Sequence, residues 1–100
     1  MREQSDHFTE AVIAIGLGAV YRTTDARRSR GYLTEIVDVL ADKELPSLLA
    51  DALIGLGDTE QAAGDLDAAT VAYIRAREVV SPLDPDRAAE LTQRIDRVAS

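Results

Sequence analysis

The chain has 100 residues, a length that supports one domain with a modest core. Apolar residues make up 46% of it but aromatic residues only 4%, a composition that suits close helix packing better than a large ligand pocket. The net charge of −7 disfavours direct binding to nucleic acid or anionic membrane, and the lack of cysteine excludes disulfides and thiolate metal sites.

The N-terminal region predicts neither a signal peptide nor a membrane span. Residues 1–10 are polar and carry both signs of charge, unlike a signal peptide. The apolar run over residues 11–20 contains two glycines and is far shorter than the ~20 residues that a spanning helix needs. We therefore expect a soluble, cytoplasmic protein.

The first two predicted helices cover about residues 7–23 and 26–42. Ser5 or Asp6 can cap the first helix, and Thr24-Asp25 separates it from the second. The first helix is apolar on almost every face, which is typical of a helix that is buried between neighbours or lacks one. A basic cluster follows it over residues 22–30, and we interpret this cluster as a solvated turn because the domain is acidic.

Three further helices are predicted after Pro46. The third begins at Pro46 or Ser47 and runs to about residue 63, where Gly64 supplies a turn. Asp65 or Asp67 caps the fourth helix, which runs to about residue 80. Asp84-Pro85 opens a fifth over about residues 85–98, with one narrow apolar stripe and polar faces elsewhere.

A duplicated motif organises these helices. Ile15-Gly16-Leu17-Gly18 recurs 39 residues later as Ile54-Gly55-Leu56-Gly57. A fixed period in this range is typical of stacked helical repeats. The sequence therefore predicts an all-α fold of two antiparallel hairpins, over about 6–42 and 47–81, plus a C-terminal capping helix over about 85–98.

Residues 50–82 resemble a tetratricopeptide repeat, and residues 11–42 resemble one more weakly. The family carries a Leu-Gly pair in the first helix, a Gly-Asp turn, an Ala/aromatic/Ala series in the second helix and a closing proline. The matching residues here are Leu53, Leu56, Gly57, Gly64, Asp65, Ala69, Tyr73, Ala76 and Pro82. The first hairpin lacks the Gly-Asp turn and the Ala/aromatic/Ala series. The period of 39 residues also exceeds the ~34 residues that are usual in the family.

The resemblance implies a non-catalytic module that binds a protein or peptide on the face of the third helix. Partner contacts are then expected from Asp51, Ile54, Asp58 and Gln61, and these acids favour a basic or amphipathic segment. Some family members clamp a peptide carboxylate with lysine and asparagine, but Ile54 and Asp58 occupy those positions, which disfavours such a clamp. Self-association, or packing against neighbouring repeats, is a further expectation.

Two alternatives remain. The chain resembles longer repeats of large bacterial regulators, so it can be a fragment of a sensing or docking array in a transcriptional or signalling protein. Alternatively, residues 12–21 can be a strand that enters a nucleotide-binding turn at Gly16 and Gly18, although a third small residue is missing. No catalytic, cofactor-binding or metal site is predicted, since His7 is the only histidine and no nucleophile adjoins a base.

Overall fold

The computed structural model describes residues 7–99, which form five helices and no strand. The predicted caps Ser5 and Asp6 lie outside this range. Successive helices pack against each other in antiparallel order, and α3 also packs on α1. The all-α prediction is confirmed. The helices are α1 (His7–Tyr21), α2 (Ala26–Leu40), α3 (Pro46–Ala62), α4 (Leu66–Val80) and α5 (Pro85–Ala99).

Three aspartates determine where helices begin. The carboxylates of Asp25, Asp65 and Asp84 each accept a hydrogen bond of 3.1 Å from the backbone N–H three residues later. These contacts cap α2, α4 and α5, and they confirm the caps predicted there. Pro46 begins α3 without a side-chain cap, and Gly64 turns the chain between α3 and α4 with a φ of 87°.

The core is built from small and branched aliphatic side chains, as the composition predicts. Each of α2, α4 and α5 buries one stripe at helical spacing, whereas α3 is buried over a broader face. Leu53, Ala69, Tyr73 and Ala76 are at most 1% exposed, so most of the motif residues are core residues. Pro82 is exposed in the turn before α5.

Two of the duplicated glycines lie where helices approach most closely. A Cβ atom on Gly57 would lie 2.5 Å from the Tyr73 ring, and one on Gly18 would lie 2.8 Å from Leu33. Real Cβ atoms essentially never approach other atoms so closely. These glycines therefore allow α3 to pack on α4 and α1 to pack on α2.

A buried polar cluster joins the first three helices. The Ser29 hydroxyl donates to the Gly18 carbonyl oxygen at 2.8 Å and lies 2.7 Å from the Thr59 hydroxyl. Beside it, the Arg30 guanidinium donates two hydrogen bonds of 2.7 Å to the buried carboxylate of Glu60. The interpretation of residues 22–30 as a solvated turn is therefore wrong for Arg30, which holds α2 to α3.

The nucleotide-binding alternative is wrong in its structural premise. Gly16 and Gly18 lie inside α1, and no strand precedes them within residues 7–99. Their backbone groups therefore form no phosphate-cradling turn. Over the same residues, no helix has the length and apolar character needed to cross a membrane.

Candidate protein-binding surface

The four residues predicted to bind a partner lie on one face of α3. Asp51, Ile54, Asp58 and Gln61 follow each other at spacings of three or four residues, which places them in a row along the helix. The first three are half-buried and Gln61 is exposed. The row faces α5, so the surface is built from both helices.

Two arginines of α5 pair with the acids of this row. Arg87 donates a hydrogen bond to the Asp51 carboxylate, and Arg94 donates one of 2.9 Å to Asp58 Oδ1. Asp51 and Asp58 are seven residues apart, and so are Arg87 and Arg94. The two helices therefore bring matching charged rows into register.

Asp58 has the largest number of partners on this surface. Besides Arg94, it accepts a hydrogen bond of 2.5 Å from the Tyr73 hydroxyl, and Arg22 Nη2 lies 3.8 Å from its second oxygen. The Gln61 side-chain amide lies 3.2 Å from the same hydroxyl. Asp58 thus links the end of α1 to α4 and α5, and its carboxylate positions other side chains.

The environment of Tyr73 keeps its hydroxyl protonated. Burial raises the pKa of Tyr73, and the hydrogen bond to Asp58 raises it further. The Arg94 guanidinium lies over the ring, with its carbon 5.4 Å from the ring centroid. That position is typical of a cation–π contact, and it orients Arg94 along the surface.

A cleft of about 390 Å³ lies between α3 and α5. Ile54 and Leu91 supply its apolar lining, and charged side chains of α5 surround them. Arg87 and Glu90 are on this rim together with Arg94. The cleft offers an apolar patch framed by fixed charges of both signs, and it can contact an amphipathic chain.

The arginines of α5 are the surface residues that sequence reasoning missed. The sequence predicts α5 as a capping helix with a solvated back, whereas Arg87 and Arg94 bind the acids of α3. The equal spacing of seven residues in the acidic and the basic pair is the signal that could have revealed them. Because both acids are paired, the reason to expect a basic partner is weaker than the sequence suggests.

Potential metal-ligating side chains are not clustered in the part of the chain that the structure describes. No group of three or more histidine, aspartate or glutamate side chains is arranged there to hold a metal ion. His7 pairs with Glu10 at the start of α1, where Nδ1 lies 3.2 Å from Oε1.

No protein-family model, no curated protein and no solved structure matches this chain. The resemblance to tetratricopeptide repeats therefore rests on the residues quoted above.

Proposed function

We propose that this chain is a non-catalytic module of the tetratricopeptide type that binds an amphipathic segment of a partner protein in the cleft between α3 and α5. In this proposal the hairpins α1–α2 and α3–α4 are repeats, and α5 caps them. A shared packing rule supports the repeats. In each hairpin, a glycine of the first helix faces a large side chain eight residues after the capping aspartate: Gly18 faces Leu33, and Gly57 faces Tyr73.

The observation that carries the binding proposal is that the charged groups of the cleft are already held in place. Arg87 is fixed by Asp51, and Arg94 is fixed by Asp58 and by the ring of Tyr73. Side chains that are ordered before binding lose less conformational entropy when a partner arrives. A preorganised cleft therefore favours specific recognition over non-specific adhesion.

The lining of the cleft defines the partner chemistry. Ile54 and Leu91 favour an apolar side chain at the centre of the bound segment. The surrounding Arg–Asp pairs can exchange hydrogen bonds with polar groups or backbone on either side of it. An amphipathic segment meets both requirements. The cytoplasmic location predicted from the sequence remains part of this proposal.

Site-directed photocrosslinking tests the cleft directly. Gln93 is exposed and lines the cleft, so a benzophenone amino acid at this position should crosslink to the partner in living cells. The same amino acid at Val71, which is 57% exposed on α4, is the matched control. We expect one protein to be captured from position 93 and not from position 71.

A second substitution connects the captured protein to the cleft. Ile54→Glu places a charge in the apolar lining and should remove the crosslink from position 93, provided the melting temperature of the variant matches that of the parent. Capture that survives Ile54→Glu, or that is equal from positions 93 and 71, would contradict binding in the cleft.

A second candidate function is favoured by the exposed face of α1. The chain would then belong to the sensing or docking array of a larger bacterial transcriptional or signalling regulator. Phe8, Ile13 and Val20 are each more than half exposed, which is typical of a helix that receives a neighbour.

A further inference from the structure

A second cleft, of about 230 Å³, lies between α1 and α2 and shares no lining residue with the cleft between α3 and α5. Tyr32, Ile36 and Val39 follow each other at spacings of three or four residues, which places them along one side of α2. Glu10 and Ala14 have the same relation on α1. We call this site the Tyr32 cleft. Its lining residues are Glu10, Ala14, Tyr32, Glu35, Ile36 and Val39.

The Tyr32 cleft combines an apolar surface with two carboxylates. Ile36 is buried, whereas Ala14 and Val39 are half-buried. Glu10 and Glu35, one from each helix, are exposed. No arginine or lysine is among the described residues that line the cleft. A side chain with an apolar stem and a cationic end fits this lining, since its stem can lie on the apolar surface while its end meets the carboxylates.

Glu35 supplies the carboxylate that is available to a partner. Glu10 already pairs with His7, whose Nδ1 lies 3.2 Å from Oε1. The Glu35 carboxylate makes no hydrogen bond or ion pair with another residue of the range 7–99. Its oxygens can therefore accept hydrogen bonds from the cation of a partner, and Glu10 adds negative charge from the opposite wall.

The other tyrosines of the chain show which cation is held by a ring and a carboxylate together. The Arg94 guanidinium lies over the Tyr73 ring and donates a hydrogen bond of 2.9 Å to Asp58. The guanidinium carbon of Arg28 lies 4.9 Å from the centroid of the Tyr21 ring, and its Nε is 3.8 Å from the carboxylate that caps α2. In both places the cation is an arginine, whose planar group can stack on a ring and bind a carboxylate at the same time.

Tyr32 has a carboxylate beside it but no arginine over its ring. The ring stacks on Tyr21, with centroids 6.1 Å apart and planes at 28°. It also lines the cleft together with Glu35, which follows three residues later on α2. Within residues 7–99 no cation lies over the Tyr32 ring. The ring and the carboxylate are thus open to a cation from another molecule.

We propose that the Tyr32 cleft binds an arginine side chain of a partner protein. The guanidinium lies over the Tyr32 ring and donates hydrogen bonds to Glu35, as Arg94 does at the ring and carboxylate on the other surface. The aliphatic stem of the arginine packs on the apolar side chains of the cleft. This proposal concerns a different surface from the cleft between α3 and α5 and does not depend on it.

The charge around the Tyr32 cleft favours a cationic occupant. Residues 31–44, which include the second half of α2, contain four acidic residues and one basic residue. That basic residue, Lys43, pairs with the neighbouring Asp42, with 3.3 Å between Nζ and Oδ1. A second copy of the chain is disfavoured as the occupant, because each copy carries a net charge of −7 and the two repel each other.

An NMR titration of the isotope-labelled full chain with the peptide acetyl-Gly-Arg-Gly-amide tests this proposal. Two further peptides replace the arginine by lysine or by citrulline, its uncharged isostere. Glu35→Gln removes the available carboxylate. Asp38→Asn is the matched control, because Asp38 is also an exposed acid of α2 but does not line the cleft. The melting temperature of each variant verifies that it is folded.

We expect saturable shifts of the backbone amides of Ala14, Tyr32 and Glu35, and NOEs between the arginine δ-protons of the peptide and the Tyr32 ring. The citrulline peptide should bind at least about fivefold more weakly, because it lacks the charge that both the ring and the carboxylate attract. The lysine peptide should also bind more weakly than the arginine peptide. Glu35→Gln should weaken binding of the arginine peptide about two- to fivefold, and Asp38→Asn should leave it unchanged.

Several results would overturn the proposal. They are the absence of saturable shifts at these residues, equal binding of the citrulline peptide, and equal weakening by Glu35→Gln and Asp38→Asn. Lysine binding as tight as that of arginine would overturn the choice of arginine. Changes of the same amide shifts on dilution of the unliganded chain would assign the cleft to a second copy, and they would likewise overturn the proposal.

Discussion

Replacement of Gly57 by alanine tests the close packing of α3 on α4. The new Cβ would lie 2.5 Å from Cε1, 2.7 Å from Cδ1 and 2.8 Å from Cζ of Tyr73. The Tyr73 ring is fully buried, and its hydroxyl is bound to Asp58. The new Cβ can be accommodated only if the ring shifts away from its hydrogen bond or the two helices separate.

Three contributions set the size of the effect. Helix propensity favours alanine by about 1 kcal/mol. Overpacking of a well-filled core costs about 1–3 kcal/mol. Displacement of the Tyr73 hydroxyl from Asp58 costs about 1 kcal/mol more. The sum predicts a net loss of about 1–3 kcal/mol, and each 1 kcal/mol lowers Tm by roughly 4–8 °C in a domain of this size.

Urea unfolding followed by circular dichroism at 222 nm measures this loss. Gly16→Ala is the control, because nothing lies within 4 Å of its Cβ and only the propensity gain of up to ~1 kcal/mol should appear. In a Tyr73→Ala background, Gly57→Ala should change from destabilising to neutral or stabilising. If Gly57→Ala were at least as stable as the wild type, the close-packing argument would be refuted.

Three further predictions concern single contacts. Asp65→Ala removes the cap of α4 and should cost about 1 kcal/mol in urea unfolding, and an unchanged midpoint would contradict the cap. Arg30→Met leaves the buried Glu60 carboxylate without its hydrogen-bond donor and should cost about 1–3 kcal/mol, whereas Arg27→Met on the exposed face should cost almost nothing. Since the pKa of Tyr73 is raised above its ordinary value of 10.0, its contribution to stability is fully present below pH 10 and is lost as pH rises above it, by up to about 1.4 kcal/mol per pH unit. Tyr73→Phe should flatten this alkaline decrease, and an equally steep decrease in the variant would contradict the assignment.

The helices and their caps could be predicted because their signals are local. An aspartate accepts a hydrogen bond from a backbone N–H three residues away, so Asp25, Asp65 and Asp84 act without any knowledge of the tertiary fold. The apolar stripes of α2, α4 and α5 are likewise set by helical periodicity. Helix ends differed from prediction by one or two residues, which is the usual uncertainty of fraying termini.

The charge pairing on the candidate surface could not be predicted with the same ease. Asp51 and Asp58 are half-buried and bound to arginines that follow 36 residues later in both cases. That pairing depends on α3 and α5 running side by side in the same direction, which is a property of the tertiary arrangement. The sequence instead predicts that the acids contact an external partner and that the arginines face solvent.

Which residues correspond between the two hairpins depends on whether the hairpins are aligned on their glycine pairs or on their capping aspartates. Counted from the glycine pair, Leu33 corresponds to Ala72, and the first hairpin lacks a large residue where the second has Tyr73. Counted from the capping aspartates, Leu33 and Tyr73 are both eighth in line. The two counts differ by one because the capping aspartate follows the glycine by seven residues in the first hairpin, from Gly18 to Asp25, and by eight in the second, from Gly57 to Asp65. The count from the caps compares positions within the second helix itself.

The four duplicated glycines therefore differ in how they pack. A Cβ on Gly18 or Gly57 would lie less than 3.0 Å from a side chain of the second helix of the same hairpin, whereas a Cβ on Gly55 would lie 3.4 Å from Leu33, which is ordinary van der Waals contact. Gly16 and Gly31 also lie inside helices, and neither has a heavy atom within 4 Å of the position that a Cβ would take, so a glycine in these helices does not by itself mark a close contact. The Cβ distance therefore decides which glycines the packing requires, and it selects Gly18 and Gly57.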